Sequence, residues 1–330
     1  MIDFALPSSL EAHEPPAARD CVRLLVSSAD GIAHRRFTDL PSLLEPGDLL
    51  VVNDSATLPA AVRLDRLTVH FSTPSGSGGL WLVELRTRTG RATTPFAGGT
   101  PGAWFPLPGG ATLTLVRRET PRLWQARLNV PVVPYLRRHG VPIRYGHVPR
   151  DWPVSAYQTV FAVPSEEASA EMPSAGRPFT TALVTALVSR GVLIAPITLH
   201  TGVASTEAHE PPYAERYAVP PVTAALVNHV RATGGRVIAV GTTVVRALET
   251  AVGPSGLVEA AAGSTEHIVT PEAGVRAVDG LITGLHEPRS SHLMMLTAIA
   301  GTALLSRTYE AALAEHYLWH EFGDLNLLLP

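Results

Sequence analysis

A corner of small residues, Gly241-Thr242-Thr243, joins a predicted strand to a predicted helix. The apolar run RVIAV, 236–240, indicates a buried strand, and TVVRALETAV, 243–252, has the period of a helix. The first N–H groups of such a helix and its dipole attract an anion or polar ligand, and the two threonines add hydroxyl groups. An ordinary N-cap, in which a threonine satisfies the free N–H groups, would use the same residues. Spacing alone leaves both interpretations open.

Polar side chains also follow the other predicted strands. His200 comes directly after the apolar run 192–199, and Asn53-Asp54 follow the run 49–52. Because the carboxyl ends of parallel strands share one edge of a sheet, we expect these groups to converge on one crevice. A single histidine is usually structural, whereas several polar strand ends favour a ligand site. Further candidates of this kind are Arg246, Glu249, Asp279, His286, Arg289, Ser290 and Ser291.

Composition excludes several classes of protein. The chain has 330 residues, 45% hydrophobic and 17% charged, which is typical of a globular protein with a large core. No apolar run reaches the roughly 18 residues of a membrane span, and the N-terminus lacks signal-peptide order, so we expect a cytoplasmic protein without a membrane partner. All 26 basic residues are arginine, which excludes Schiff-base, pyridoxal-phosphate and P-loop chemistry. One cysteine and no HExxH motif predict no metal site.

The charge balance bears on nucleic acid as a partner. The formal net charge of −3 argues against a large nucleic-acid footprint, which usually shows a basic excess. Local arginine patches remain possible, although most such runs are solvated surfaces. The candidates are Arg137-Arg138 with Arg144 and Arg150, and the cluster Arg86, Arg88 and Arg91.

The pattern of predicted secondary structure changes twice along the chain. From about residue 61 to 152, short alternating segments such as RLTVHF and LWLVELRT predict a small antiparallel barrel or sandwich, with no helix between them. Before and after that stretch, helical and strand patterns alternate, as in parallel α/β architecture. We therefore predict a discontinuous α/β domain, 1–60 and 153–330, with an inserted small antiparallel β-barrel domain, 61–152. The predicted helices after the insertion are 179–191, 221–235 and 243–252, followed by one or two helices over 292–317.

Collinear motifs over nearly the whole chain resemble one family, the S-adenosylmethionine:tRNA ribosyltransferase-isomerases of queuosine biosynthesis. They are DFALP (3–7), FTDLPSLLEPGDLLVVND (37–54), YQTVFA (157–162), PSAGRPFT (173–180), ITLHTG (197–202), GGRVIAVGTTVVRALE (234–249), VDGLITGLHEPRSSHLMML (278–296) and YLWHEFGDLNLLL (317–329). The resemblance implies an α/β domain with an inserted β-barrel, in agreement with the pattern above.

The resemblance also implies an unusual use of S-adenosylmethionine as a substrate. The sulfonium acidifies the neighbouring ribose C–H, a base removes that proton, the ring opens and adenine leaves. The amine of an aminomethyl-deazaguanine base in tRNA then attacks, and closure of an epoxide expels methionine. Such chemistry needs a general base, donors for the departing groups and a polar cradle for the sulfonium.

Roles for individual residues follow from the resemblance. His200 and His286 are the candidates for proton transfer, and Thr243 and Glu249 are further catalytic candidates. The corner would bind cofactor oxygens. The full set of predicted cofactor-binding residues is Gly241, Thr242, Thr243, Arg246, Asn53, Asp54, Tyr157, Gln158, Asp279, Arg289 and Ser290.

Four departures from the family pattern favour a second interpretation. Arg177-Pro178 stand where the family reads Leu-His, and Ser55-Ala56-Thr57 replace the segment with an arginine after Asn53-Asp54. Gly284-Leu285 replace a pair containing asparagine, and the segment 203–217 is shorter and more acidic than in the family. The alternative is a diverged paralogue that uses S-adenosylmethionine on a small-molecule acceptor, or as a lyase, without tRNA; a binding protein without turnover is a third possibility.

Overall fold

The computed structural model describes residues 2–76, 78–89, 92–165, 167–203 and 213–330. The strands are β1 (Arg23–Ser28), β2 (Gly31–Arg36), β3 (Leu49–Asn53), β4 (Ala61–Arg63), β5 (Leu67–Pro74), β6 (Leu80–Thr89), β7 (Ala92–Pro95), β8 (Trp104–Pro106), β9 (Thr112–Arg118), β10 (Leu123–Leu128), β11 (Leu193–Leu199), β12 (Glu215–Val219), β13 (Val237–Val240), β14 (Ala261–Thr265), β15 (Gly280–Gly284) and β16 (Leu325–Leu329). The helices are α1 (Leu40–Leu43), α2 (Val132–His139), α3 (Thr181–Ser189), α4 (Pro221–Ala232), α5 (Thr242–Thr250) and α6 (Ser291–Ala314).

The larger sheet has the order β14-β12-β11-β3-β13-β15-β16-β1-β2. Its centre is parallel: β3 pairs in parallel with β11 and β13, and β13 pairs in parallel with β15. The sheet is mixed rather than wholly parallel, because β15 and β16 are antiparallel and the strands at both edges are antiparallel too. The carboxyl ends of β3, β11, β13 and β15 therefore lie along one edge, as the sequence predicted.

Helices cover both faces of this sheet, and the pleat of β3 divides its side chains between them. Leu49 and Val51 face a core shared with α4, α5 and α6, whereas Leu50 and Val52 face a core shared with α1 and α3. All five residues of β3 are buried, which explains why the strand reads as a continuous apolar run. Because β3 is packed on both faces, its position in the sheet also determines where the polar residues at its carboxyl end lie.

The smaller sheet is antiparallel, in the order β4-β5-β6-β10-β9-β8 with β7 on β6, and it curls into a half-barrel. It has a separate core, which includes Phe71, Trp81 and Trp124. The expectation that no helix interrupts residues 61–152 is wrong, because α2 follows β10 and buries Val132, Val133, Tyr135 and Leu136 against that core. The chain enters the half-barrel after β3 and returns to the larger sheet at β11; the domain boundaries themselves stay a prediction.

The longest helix of the described residues, α6, is interrupted at Gly301, whose φ of 72° is outside the helical region. This agrees with the prediction of one or two helices over 292–317. Among the described residues, no helix combines the length and the apolar character that crossing a bilayer would need.

Candidate active site

A cleft of about 370 Å³ opens at the carboxyl ends of β3 and β11. Its walls come from the ends of these strands, from the segment around residue 165, and from β12 and β14. Two residues predicted from the sequence, Asp54 and His200, line it. Among the described residues, the lining is Asp54, Ser55, Val163, Ser165, Glu167, Thr198, His200, Arg216, Tyr217, Ala218, Ala262 and Gly263.

Asn53 ties together the elements that end at this edge. Its amide nitrogen donates to the carbonyl of Leu199 at 2.9 Å and to Oγ1 of Thr243 at 3.3 Å. Its amide oxygen accepts from the N–H groups of Leu199, at 3.1 Å, and Ser55, at 3.0 Å. The side chain is 3% exposed, so it joins β3, β11 and the start of α5 from within. This geometry makes Asn53 a positioning residue rather than a direct ligand.

His200 lies at the centre of a short polar relay. Its Nδ1 is 2.7 Å from Oγ of Ser55, which is in turn 2.7 Å from Oγ of Ser169, and its Nε2 is 3.9 Å from a carboxylate oxygen of Glu167. Burial lowers the pKa of His200 below its ordinary value, and the opposing effect of Glu167 does not reverse this. The imidazole is therefore neutral at pH 7 and able to accept a proton.

The walls beside His200 carry carboxylates. Asp54 accepts a hydrogen bond from Oγ1 of Thr198 at 2.7 Å, which orients its carboxylate at the strand end. Glu167 forms an ion pair with Arg216, and its side chain is 38% exposed. With the guanidinium of Arg216 counted, the lining carries a neutral base, two carboxylates and one positive charge, and this small negative excess suits a cationic ligand better than an anionic one.

The small-residue corner has a conformation that requires glycine. Gly241 has φ 96° and ψ 154°, and its N–H donates to the carbonyl of Ile282 at 2.8 Å. Because Gly241 occupies the N-cap position of α5, a threonine does not cap this helix and that simpler interpretation is wrong. The hydroxyl of Thr243 instead accepts from Asn53, which connects the corner to the strand that leads into the cleft.

Arg246 contacts protein groups. Its guanidinium forms an ion pair with Glu215 and donates to the carbonyls of His267, at 3.2 Å, and Thr265, at 3.4 Å. The other carboxylate oxygen of Glu215 accepts from the N–H of Gly202 at 2.9 Å. Through Glu215, Arg246 thus holds the backbone of Gly202, two residues after His200. Arg246 therefore supports the cleft without lining it. Of the segment 203–217, residues 204–212 lie outside the described residues.

The expectation of a catalytic Glu249 needs correction. The side chain is 3% exposed, and its carboxylate accepts from the backbone N–H groups of Arg276, at 2.9 and 3.0 Å, and Ala277, at 2.8 Å. A carboxylate saturated by backbone donors anchors the loop before β15. Helical spacing placed Glu249 near Arg246, but it gave no information about these partners.

Asp279 lies at the opposite edge of the sheet from the cleft. It precedes β15 instead of following it, and its carboxylate accepts from the N–H of Val237 at the start of β13, at 2.8 Å. Convergence with the strand ends is therefore a wrong expectation for this residue.

Tyr157 and Gln158 lie between the two sheets. The amide of Gln158 pairs with the backbone of Thr57 at 3.0 and 2.7 Å, so it fastens two segments together. The ring of Tyr157 packs on Phe322, and its buried hydroxyl has no hydrogen-bond partner among the described residues. That hydroxyl is the one group of this pair that is free to meet a ligand or water.

His286 has a different environment from His200. Its Nε2 is 2.9 Å from Oγ1 of Thr283, and its ring stacks on that of His292, with centroids 4.5 Å apart. Burial, with His292 and His320 nearby, holds the pKa of His286 well below its ordinary value. Nearby, Arg289 is exposed with φ 60° and lies 3.6 Å from Asp3, and Ser290 precedes α6 with a buried hydroxyl that has no partner among the described residues. The cofactor roles of both stay predictions.

Arg177, which stands where the family reads leucine beside the histidine that Pro178 replaces, does not face the cleft. Its side chain is 2% exposed and donates to the carbonyls of Glu321, at 2.9 Å, and of Phe322 and Gly323, at 3.4 Å. Burial lowers its pKa to about 10. Arg177 thus fixes the segment before β16 and neither supplies nor blocks a group in the cleft.

One cluster in the described residues has the residue types of a metal site, which the sequence did not predict. Glu11, His147 and His320 each offer a ligand atom, and these atoms lie within 4.8 Å of one another. The two imidazole rings stack, with centroids 4.0 Å apart and planes 15° apart. Because a metal lies near the plane of each imidazole that binds it, rings stacked in this way do not share an ion, and we assign the cluster no metal.

Sequence reasoning missed the supporting residues Ser55, Ser169, Glu167 and Glu215. Ser55 follows Asp54 directly, so the strand-end argument could have included it. The others come from segments with no periodic pattern, and only the fold brings them to His200.

The architecture defines an α/β protein with a polar cleft at the carboxyl edge of its sheet, and comparison with known proteins gives the family. The family model described as "Queuosine biosynthesis protein" matches residues 1–328. The chain is 38% identical to an S-adenosylmethionine:tRNA ribosyltransferase-isomerase of Anaeromyxobacter sp. (strain Fw109-5), and equally to one of Acidiphilium cryptum (strain JF-5), over 99% of this chain and 97% of each relative. It is also similar to the crystal structure of S-adenosylmethionine tRNA ribosyltransferase from Thermotoga maritima, with 27% identity, a TM-score of 0.56 and 99% coverage of both chains. The chain belongs to the queuosine biosynthesis protein family.

Proposed function

We propose that this chain transfers the ribosyl part of S-adenosylmethionine to the aminomethyl-deazaguanine base of tRNA and isomerises it to the epoxide of epoxyqueuosine, with release of adenine and methionine. The observation that carries the proposal is the cleft itself: a neutral histidine, His200, lies beside two carboxylates in a chain that the family model matches from end to end. A tRNA substrate would place the reaction in the cytoplasm.

The residues of the cleft fit the steps in order. His200 removes the ribose proton that the sulfonium acidifies, and Ser55 holds its Nδ1 so that Nε2 faces the cleft. Asp54 supplies negative charge that a sulfonium favours, and Glu167, which is paired with Arg216, adds a second carboxylate beside His200. The corner at Gly241 does not itself line the cleft; it is joined to the strand end there by the contact of Thr243 with Asn53, and in this proposal the start of α5 binds cofactor oxygens.

The later steps need no further charged group from the protein. Ring opening expels adenine, the exocyclic amine of the tRNA base attacks the opened sugar, and epoxide closure expels methionine. His286 is a second proton-transfer candidate, because it is neutral and hydrogen-bonded to Thr283 at the end of β15.

Mass spectrometry of adenine and methionine released from S-adenosylmethionine tests the proposal. The purified protein is incubated with and without tRNA that carries the aminomethyl-deazaguanine base. We expect release that depends on that tRNA, together with a matching gain in mass on the tRNA. Release without tRNA would contradict the proposal and favour a lyase or a small-molecule acceptor, and no release with the correct tRNA would contradict turnover altogether.

A further inference from the structure

The two parts of the chain carry opposite charge. Residues 61–152, which contain the half-barrel and α2, have 13 arginines and four acidic residues, a formal charge of +9. The rest of the chain has 13 arginines and 25 acidic residues, a formal charge of −12. The small net charge of −3 therefore conceals a strongly basic half-barrel joined to a strongly acidic α/β part. A basic excess on one compact unit is the electrostatic pattern of a nucleic-acid-binding surface.

Most of this positive charge is on the surface. Among the described residues, only a few arginines of the segment are used in buried pairs: Arg86 and Arg122 both contact the buried Glu84. Arg91, one of the arginines singled out in the sequence, lies outside the described residues. The exposed arginines of the segment are Arg66, Arg88, Arg117, Arg118, Arg127, Arg137, Arg138 and Arg150.

An aromatic ring lies on the same face as one of these arginines. Residues directly opposite each other in an antiparallel sheet point to the same face, and the register aligns Arg127 of β10 with Thr114 of β9 and Thr114 with Trp104 of β8. Trp104 is 65% exposed, which is unusual for so large an apolar side chain. Exposed aromatic rings beside arginines are the platforms on which proteins stack unpaired bases.

The arginine pair of α2 connects this surface to the cleft. A guanidinium nitrogen of Arg137 donates to the carbonyl of Ser165 at 2.9 Å, and Ser165 lines the cleft with His200. Tyr135, on the buried side of α2, donates to the carbonyl of Pro108 in the loop after β8 at 3.0 Å. Helix α2 thus contacts the loop that follows the strand of Trp104 on one side and a residue of the cleft lining on the other.

We propose that Trp104, Arg127, Arg137 and Arg138, here called the barrel face, dock the tRNA substrate. The arginines bind phosphates, Trp104 stacks on an unpaired base, and Arg137 and Arg138 guide the strand to the cleft. The proposal rests on the proposed function and adds the surface by which the substrate is held. The acidic α/β part repels the phosphate backbone, so only the nucleotide that reacts approaches the larger sheet.

Binding of unmodified tRNA, measured by fluorescence anisotropy over a series of salt concentrations, tests the arginines. The variant Arg127→Gln/Arg137→Gln/Arg138→Gln is compared with a control, Arg190→Gln/Arg231→Gln/Arg307→Gln, which removes three exposed arginines from the α/β part. We expect the barrel variant to bind roughly 10- to 500-fold more weakly at ~0.1 M salt and its slope of log K against log salt to fall by ~2 to 3. The control should bind like the wild type or more weakly by less than about threefold.

The outcomes separate this proposal from the proposed function. If the barrel variant and the control bind alike while the wild type modifies tRNA, the docking surface is wrong and the function stands. If the barrel variant alone loses binding but the wild type transfers nothing from S-adenosylmethionine, the docking surface stands and the function is wrong. Wild-type protein that binds no tRNA at ~0.05 M salt overturns both.

Trp104 has its own matched variants. Trp104→Ala should weaken binding of a single-stranded anticodon loop by roughly 5- to 100-fold, and Trp104→Phe should restore most of it, because phenylalanine keeps a ring for stacking. Val222→Ala, which truncates a side chain 70% exposed on α4, controls for the loss of exposed apolar surface. Equal binding by Trp104→Ala and the wild type would exclude stacking at this position.

Discussion

The two sheets of this protein use polar side chains in opposite ways. At the edge of the larger sheet, polar groups are drawn in from distant segments and desolvated, so that His200 is held neutral among Ser55, Asp54 and Glu167. On the half-barrel, Arg86 and Arg122 both pair with the buried Glu84, and most of the other arginines are exposed to solvent. Burial tunes protonation at short range, whereas exposed charge acts on a polyanion at long range. This difference is the basis on which we propose chemistry at one sheet and docking at the other.

The largest effect on turnover is expected from removing His200, the proposed general base. His200→Ala should lower turnover by ~10²- to 10⁴-fold, because general-base catalysis contributes about that factor. Its control is His229→Ala, which removes an exposed histidine on α4. Release of adenine under saturating substrate is the measurement. If His200→Ala and His286→Ala both turn over like the wild type, neither histidine is the base. The proposed contrast between catalysis at the larger sheet and docking on the half-barrel would then be wrong.

The same histidine predicts the pH dependence of activity. Because burial lowers the pKa of His200 below about 6.5, the imidazole stays neutral at pH values where a free histidine would be protonated. Activity should therefore persist as pH falls to about 6.5 and decline only at lower pH, with the midpoint at the pKa of His200. Ser55→Ala should shift this acidic limb if the hydroxyl contact positions the ring. An unchanged midpoint in that variant would mean that Ser55 has no influence on the protonation of His200.

The next largest effect concerns Arg177, which bears on stability and not on chemistry. Arg177→Met leaves the carbonyls of Glu321, Phe322 and Gly323 unpaired in the interior, at an expected cost of about 2–3 kcal/mol in the free energy of unfolding. Urea unfolding measures it, with the exposed Arg190→Met as control. A loss of activity without a loss of stability would instead give Arg177 a role in the reaction.

A further prediction concerns the pH dependence of stability, through a buried histidine of the half-barrel. Burial, with Arg86, Arg122 and Arg63 nearby, lowers the pKa of His70 in the half-barrel to about 3. Below about pH 6.5 the unfolded chain gains a proton that the folded chain does not. The free energy of unfolding therefore decreases as the pH is lowered, by about 2 kcal/mol at pH 5. His70→Gln should remove that share of the loss between pH 7 and pH 5, and His229→Gln should not. Equal pH dependence in both variants would contradict the burial of a neutral His70.

Periodicity predicted the elements of the site but not its contacts. The runs before His200 and Asn53 are buried on both faces, so their strands and their shared edge could be predicted from the sequence alone. The C-terminal strand β16 was not predicted, because its short apolar run lacks a distinctive period. Arg177 contacts carbonyls about 145 residues away, and no local pattern encodes such a partner. Asp279 was placed at the wrong edge because the strand in its motif begins after it, which alternation could not show.

The smallest effect is expected from Glu249→Gln, which tests whether a residue of α5 away from the cleft affects stability alone or turnover as well. Glu249→Gln replaces a carboxylate that accepts from Arg276 and Ala277, so one amide N–H₂ group would face backbone donors. We expect a loss of about 1–2 kcal/mol in stability with turnover within about threefold of the wild type, since the side chain lies away from the cleft. Parallel urea unfolding and adenine-release assays measure both quantities. A fall in turnover of more than about tenfold with unchanged stability would restore the catalytic role first expected of Glu249 and extend the proposed chemistry from the strand ends along α5.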